Sequence, residues 1–210
     1  VFEILTVCTG NICRSPLAAG LLHARLADLG AVVGSAGTRG LASAEMTPEA
    51  VKIALALGVL PDVAAAHRSR FLTEAHLGSP DLILAMTREH RRAVAELAPT
   101  RLRSTFTIRE FARLSAAISD DELRRAADEA GTDASARVRA VAALVASYRG
   151  LVEPPADLDD DDVIDPYGRS WQTYLRSASQ LVPAVTATTE VISIALDGGA
   201  RQPTASAVEQ

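Results

Sequence analysis

A chain of 210 residues is long enough for one well-packed domain, and 48% hydrophobic with 22% charged residues is the balance of a globular protein. The net charge of -5 argues against a nucleic-acid partner, which wants a basic face, and no apolar run approaches the roughly 20 residues of a bilayer span, so no membrane insertion is expected. Two cysteines, Cys8 and Cys13, exclude a disulfide framework. Residues 1–7 lack the basic start of a signal peptide, and a reducing, cytoplasmic location is the expectation. Lys52 is the single lysine against twenty arginines, a bias that points to a GC-rich bacterial genome.

Residues 2–7 form a short apolar run with β-branched members and read as a buried strand. Ser15 is a candidate N-cap and Pro16 a favourable first helical residue. Leu17, Leu21, Leu22, Leu26 and Leu29 then recur at helical spacing up to Gly30. A second strand is expected over 31–36, and Thr47-Pro48-Glu49 opens a helix that ends before Gly58. Residues 81–86 read as a third strand, 88–97 as a polar helix and 104–108 as a fourth strand. This alternation predicts an α/β fold: a four-stranded parallel sheet with helices on both faces in three layers. From about 113 to 150 the chain is Ala/Arg/Glu-rich and reads as two helices broken at Gly131. Residues 153–162 read as an acidic loop, and 170–196 as a helix that Pro183 should kink or interrupt. One domain is expected over 1–197, with an insertion at about 113–160 and a frayed polar tail over 198–210.

The chemistry concentrates in Cys8-Thr9-Gly10-Asn11-Ile12-Cys13-Arg14-Ser15, between the first strand and the first helix. Backbone N–H groups converge at such a turn, and the helix dipole favours negative charge. A cysteine at the loop's start is favoured there as the nucleophilic thiolate and faces any oxyanion the loop holds. Arg14, six residues on, can grip two phosphate oxygens with its planar fork. Asn11 is expected to hold the loop open, Gly10 to permit the tight backbone, and Ser15 to donate a hydroxyl to the Cys8 sulfur.

The segment 7–16 resembles the signature of the low-molecular-weight protein tyrosine phosphatases. The resemblance continues through Ser35-Ala-Gly-Thr38, His67-Arg-Ser-Arg70, residues 81–87 and Asp165-Pro-Tyr167, covering about 2–112 and 163–196. It implies a flavodoxin-like fold, no metal or other cofactor, and a phosphocysteine intermediate in hydrolysis of phosphotyrosine on a protein partner. On the same basis Asp165 is the expected general acid and base, and Tyr167 a pocket wall. Thr9, Gly10, Asn11, Ile12, Cys13 and Ser15 are expected around the phosphate, with Ser35 and His67 as supports. Cys13 reads either as a small buried residue or, as in the family, as the disulfide partner of Cys8 under peroxide. Were Asp159 to Asp162 to fold close to Asp165, like-charge repulsion would help keep it protonated.

Gly168 stands where many relatives carry a second aromatic residue, and the opposite wall has only Leu41 or Met46 to offer. Protein-arginine phosphatases resemble the family too but tend to carry Thr where Ile12 stands, and an apolar Ile12 suits an aryl ring better. Arsenate reductase chemistry with an external small thiol and a non-catalytic phospho-anion sensor are the competing readings. The oligomeric state is left open between monomer and weak dimer.

Overall fold

A computed structural model describes residues 1–40 and 43–197. The expected tail over 198–210 and the candidate wall residue Leu41 lie outside the described residues. Strand β1 (Phe2–Cys8) leads through the loop to helix α1 (Arg14–Leu26), which tightens to a 3-10 turn over Ala27–Leu29 before strand β2 (Ala31–Gly37). Helices α2 (Pro48–Ala56) and α3 (Pro61–Ala66) precede strand β3 (Leu82–Ala85) and helix α4 (Arg88–Leu97). Strand β4 (Thr105–Thr107) is followed by α5 (Ile108–Ser115), α6 (Asp120–Glu129), α7 (Ala134–Ser147) and the 27-residue α8 (Trp171–Asp197).

The four strands run parallel in the order β2-β1-β3-β4. The chain leaves β1 for one neighbour and later returns to its other side, so the reversal lies at the carboxyl end of β1, where open α/β sheets place their ligands. Side chains alternate across the sheet as the strand period requires. Phe2, Ile4, Leu82 and Leu84 join the main core, while Leu5, Val7 and Ile83 join a smaller core with Leu72, Leu77 and Val94 of α4. Helices thus cover both faces, as the alternation predicted.

Four local expectations change. Helix α1 begins at Arg14 with Cys13 at the cap position and no side-chain cap, so Ser15 is helical and its hydroxyl is directed elsewhere. Helix α3, started by Pro61, is too short for periodicity to reveal. The stretch from about 113 holds the end of α5 and two more helices; the break between α6 and α7 does fall at Gly131, at φ 91°. Helix α8 is not interrupted at Pro183, because its neighbours Leu181, Ala184 and Val185 are buried and hold the register that the missing N–H weakens.

The inserted helices belong to the main core. Leu123, Ala127, Val138, Val141 and Val145 pack in the same cluster as α1, α5 and α8. Arg137 is buried between them, donating to the Ala195 carbonyl at 2.7 Å, the Gly131 carbonyl at 2.8 Å and Asp128 at 2.6 Å. It thereby ties α7 to the last turn of α8. By length and composition α8 is the one helix among the described residues that could cross a membrane. Here it is the central core helix, burying Leu181, Val185 and Ile192.

Candidate active site

Cys8 ends β1, buried, and its sulfur is the centre on which the loop closes. The Ser15 hydroxyl lies 2.9 Å from Cys8 Sγ, and the Asn11 N–H donates to the same sulfur at 3.3 Å. Asn11 Nδ2 donates to Ser15 Oγ at 2.9 Å and to Ser35 Oγ at 2.8 Å. With Ser15 Oγ already accepting from Asn11, its own proton is shared between the sulfur at 2.9 Å and the Ala36 carbonyl at 3.5 Å. Asn11 Oδ1 accepts from the Arg70 N–H at 3.0 Å, and the Asn11 carbonyl accepts from His67 Nε2 at 2.7 Å. Every polar group of this fully buried asparagine is therefore engaged.

The strained backbone of the loop sits at Asn11, with φ 55°, rather than at Gly10 as expected. Asparagine tolerates the left-handed region, and the five bonds on this residue hold it there. The glycine that the loop cannot do without is Gly37 on β2. A Cβ there would stand 2.6 Å from the Thr9 carbonyl oxygen and 3.1 Å from the Asn11 N.

Arg14 is buried in the first turn of α1 and spans the site. Nη1 donates to the Val163 carbonyl at 3.1 Å, and Nη2 donates to Thr9 Oγ1 at 3.2 Å and meets Asp165 Oδ2 at 2.6 Å. Its buried Nε has no partner among the described residues. Such an atom beside a nucleophile is a donor kept for an incoming oxyanion. Asp165 opens the turn before α8: its Oδ1 accepts from the Tyr167 N–H at 3.2 Å, and Gly168 follows at φ 70°.

Cys8, Thr9, Gly10, Ile12, Cys13, Arg14, Arg39, Asp165 and Tyr167 line one cavity of about 250 Å³. Candidate residues from two distant stretches of chain are thus brought together, and Arg39 joins them from a third. Met46 is not a wall: it is buried in the main core. Arg39 lines the cavity together with Tyr167 and also pairs with Glu89 at 3.4 Å. Asp159, Asp160 and Asp162 line a second cavity that Asp165 and Arg14 share, as expected of the acidic run, but most of its charge is met by arginines. Asp159 and Asp162 pair with Arg88, and Asp161 with Arg113 at 2.7 Å, so these carboxylates fasten their loop to α4 and α5.

Cys13 Sγ points away from Cys8's partners, toward Thr47 Oγ1 at 3.4 Å and Tyr174 Oη at 3.6 Å. Burial pushes the Cys13 thiol up and, for the same reason, the Tyr174 phenol up to about 12. Both cysteines are free. Sequence reasoning passed over His90, Thr87 and Arg39. The available signal was Thr87, an N-cap directly after β3 that points its helix's third residue, His90, back at the loop.

The profile of the family described as low molecular weight phosphotyrosine protein phosphatase matches residues 3–121. The chain belongs to this phosphatase family. Over 110 residues it is 37% identical to a protein-arginine-phosphatase of Geobacillus stearothermophilus, an alignment covering 52% of this chain and 71% of that relative. Over 97 residues it is 44% identical to the low molecular weight protein-tyrosine-phosphatase Etp of Escherichia coli K12, covering 46% of this chain and 62% of Etp. Among solved structures, a low molecular weight protein tyrosine phosphatase from T. tengcongensis superposes with a TM-score of 0.62 at 26% identity, covering 90% of this chain and 99% of that one. The arginine phosphatase YwlE from Geobacillus stearothermophilus gives 0.60 at 26%, covering 90% and 92%. Phosphatase family membership thus rests on the loop, the sheet order and the sequence together.

Proposed function

We propose that this phosphatase hydrolyses aryl phosphate monoesters, phosphotyrosine on a protein being the natural form, through a phosphocysteine intermediate. The observation that carries the reading is the convergence of Cys8, Arg14 and Asp165 on one cavity, with Ser15 on the sulfur. Cys8 Sγ attacks phosphorus as the ester P–O bond breaks, and Asp165 protonates the leaving oxygen. Water then attacks the thiophosphate, Asp165 takes its proton, the S–P bond breaks, and the Ser15 hydroxyl stabilises the departing thiolate. Arg14 exchanges its contact with Asp165 for the phosphoryl oxygens, which uses the vacant Nε donor.

The walls favour an aryl group. Ile12 is apolar, Tyr167 offers an aromatic face, and the flat Arg39 guanidinium can stack on a ring. The same Arg39 repels a second guanidinium, which disfavours phosphoarginine. That substrate is the second reading, because the Geobacillus relative is a protein-arginine-phosphatase. Arsenate reduction by a thioredoxin-coupled route requires a further cysteine, and the chain has Cys8 and Cys13 alone. Under peroxide, Cys8 is oxidised to the sulfenic acid and Cys13 displaces hydroxide as water, closing a disulfide that reductant reopens. Intact mass after peroxide that shows sulfinic acid on Cys8 and no loss of two hydrogens would refute this protection.

The test of the substrate reading is hydrolysis of phosphotyrosine and phosphoarginine peptides by wild type, Cys8→Ser and Asp165→Asn. We expect turnover of the phosphotyrosine peptide, none for Cys8→Ser, and a loss of about 10²-fold or more for Asp165→Asn. A higher kcat/KM on phosphoarginine would move the assignment to the second reading.

A further inference from the structure

Behind the catalytic loop, on the side away from Asn11, a second hydrogen-bonded chain reaches the same guanidinium. His90 is buried at the start of α4, with 3% of its surface exposed. Its Nε2 lies 2.8 Å from Thr9 Oγ1, and its Nδ1 lies 2.9 Å from Thr87 Oγ1. Thr9 Oγ1 in turn accepts from Arg14 Nη2 at 3.2 Å. The order Thr87–His90–Thr9–Arg14 therefore runs from the end of β3 to the cation of the site.

We propose that His90 is a positioning residue for phosphoryl transfer: a neutral imidazole that holds the Thr9 hydroxyl as a support for Arg14 and turns the hydroxyl proton toward the bound phosphoryl group. This rests on the phosphatase reading above. The proton count carries it. Thr87 Oγ1 already accepts from the His90 backbone N–H at 3.3 Å, so the Thr87 hydroxyl proton is free to go to Nδ1. Nε2 then bears the imidazole proton and donates to Thr9 Oγ1, which accepts from Arg14 as well. With both lone pairs of Thr9 occupied, its own proton has one direction left, into the cavity that Thr9 lines. The alternative tautomer leaves the Thr87 proton outside the chain and turns the Thr9 proton back to His90, so an anion in the cavity selects the first arrangement. A charged imidazole would break the chain by forcing a proton on Nδ1. Burial, with Arg14 and Arg39 nearby, keeps His90 neutral by pushing it down to about 3. Arg14 and Arg39 are the charged groups that push it down, its hydrogen-bond partners are hydroxyls, and the carboxylates of Glu89, Asp159, Asp160, Asp162 and Asp165 line the cavity it borders.

The discriminating variants are His90→Gln, whose amide N–H reaches the Nε2 position, and His90→Asn, which is too short for Thr9 but can still bond Thr87. Paired with Thr9→Val and the double variant, they are assayed on para-nitrophenyl phosphate for kcat and KM, and on inorganic phosphate by calorimetry. We expect His90→Asn and Thr9→Val each to lower kcat by about 10–100-fold with little change in KM, as for loss of one hydrogen bond to a charged group. The double variant should lose no more than either alone, and His90→Gln should keep most of the rate. Equal losses for Gln and Asn, or additive losses in the double variant, would overturn the proposal and leave His90 a packing residue. Should wild type fail to hydrolyse the ester, the phosphatase reading falls by itself. In that event phosphate binding still decides His90: about tenfold weaker binding by His90→Asn but not by His90→Gln supports it, and equal binding rejects it.

Discussion

At the residue scale, Asn11 does the most with one side chain. It fixes the left-handed turn, donates to Ser15 and Ser35, and presents its N–H to the Cys8 sulfur. Asn11→Ala loses the side-chain bonds while keeping the unfavourable φ, so it is expected to lower kcat by about 10²-fold and to lower Tm in thermal unfolding. Gly37→Ala pushes a methyl into the Thr9 carbonyl and should disturb the loop from the opposite strand, with a similar loss of rate. His90 makes a pH prediction. Its folded-state proton affinity is below that of an ordinary imidazole, so the unfolded chain takes the proton first. The stability it contributes is complete above about pH 6.5 and is lost as pH falls toward about 3, at up to about 1.4 kcal/mol per pH unit. His67, lowered chiefly by burial, acts with the same sign. Urea midpoints of wild type and His90→Gln between pH 7 and 5 should therefore diverge, the variant falling less.

At the scale of elements, two features of the helices invite measurement. Pro183 is exposed on α8 and removes one hydrogen bond from a helix that is otherwise continuous. Pro183→Ala should stabilise the protein, by at most about 3 kcal/mol, read as a rise in Tm. Arg137→Ala strands the Ala195 carbonyl in the interior and removes the bonds to Gly131 and Asp128, and should cost about 2–3 kcal/mol in urea unfolding, without changing the chemistry of a site on the other end of β1. An unchanged midpoint would mean that the Ala195 carbonyl finds water. The arginine-rich composition becomes intelligible here. Arg149 reaches Glu110 at 2.7 Å and the Thr105 carbonyl at 2.6 Å while its guanidinium lies 4.3 Å from the Phe106 ring centre, tying the end of α7 to β4. Lysine, with a point charge and three donors, makes no such planar contact.

At the scale of the whole molecule, the inserted helices, the sheet and α8 share one core. Amide exchange should thus protect Val141 and Val145 of α7 as strongly as Ile4 and Leu5 of β1, in one cooperative transition. The parallel sheet and its first loop were legible in the sequence because strands 2–7 and 81–86 are short apolar runs and Cys8 to Ser15 falls between a strand and a helix start. The acid loop was legible only through resemblance: alone, Asp165-Pro166 reads as a turn. What periodicity could not reveal were side chains whose role depends on a distant backbone. Arg39 lines the cavity for which an aromatic wall was sought, His90 reaches Thr9 across 81 residues, and the acidic run turns to Arg88 and Arg113. Apart from the Thr87 cap that aims His90, these contacts have no signature in local sequence, since each is set by strand order.

The central claim is that Cys8 carries the phosphoryl group. The most direct measurement is acid-quenched intact mass with peptide mapping of Asp165→Asn during turnover of para-nitrophenyl phosphate, where loss of the base slows hydrolysis of the intermediate. The account predicts a phosphate on the peptide containing Cys8, and none when Cys8 is also replaced by alanine. Turnover without an adduct on that peptide, at a rate that survives the loss of Cys8, would contradict it.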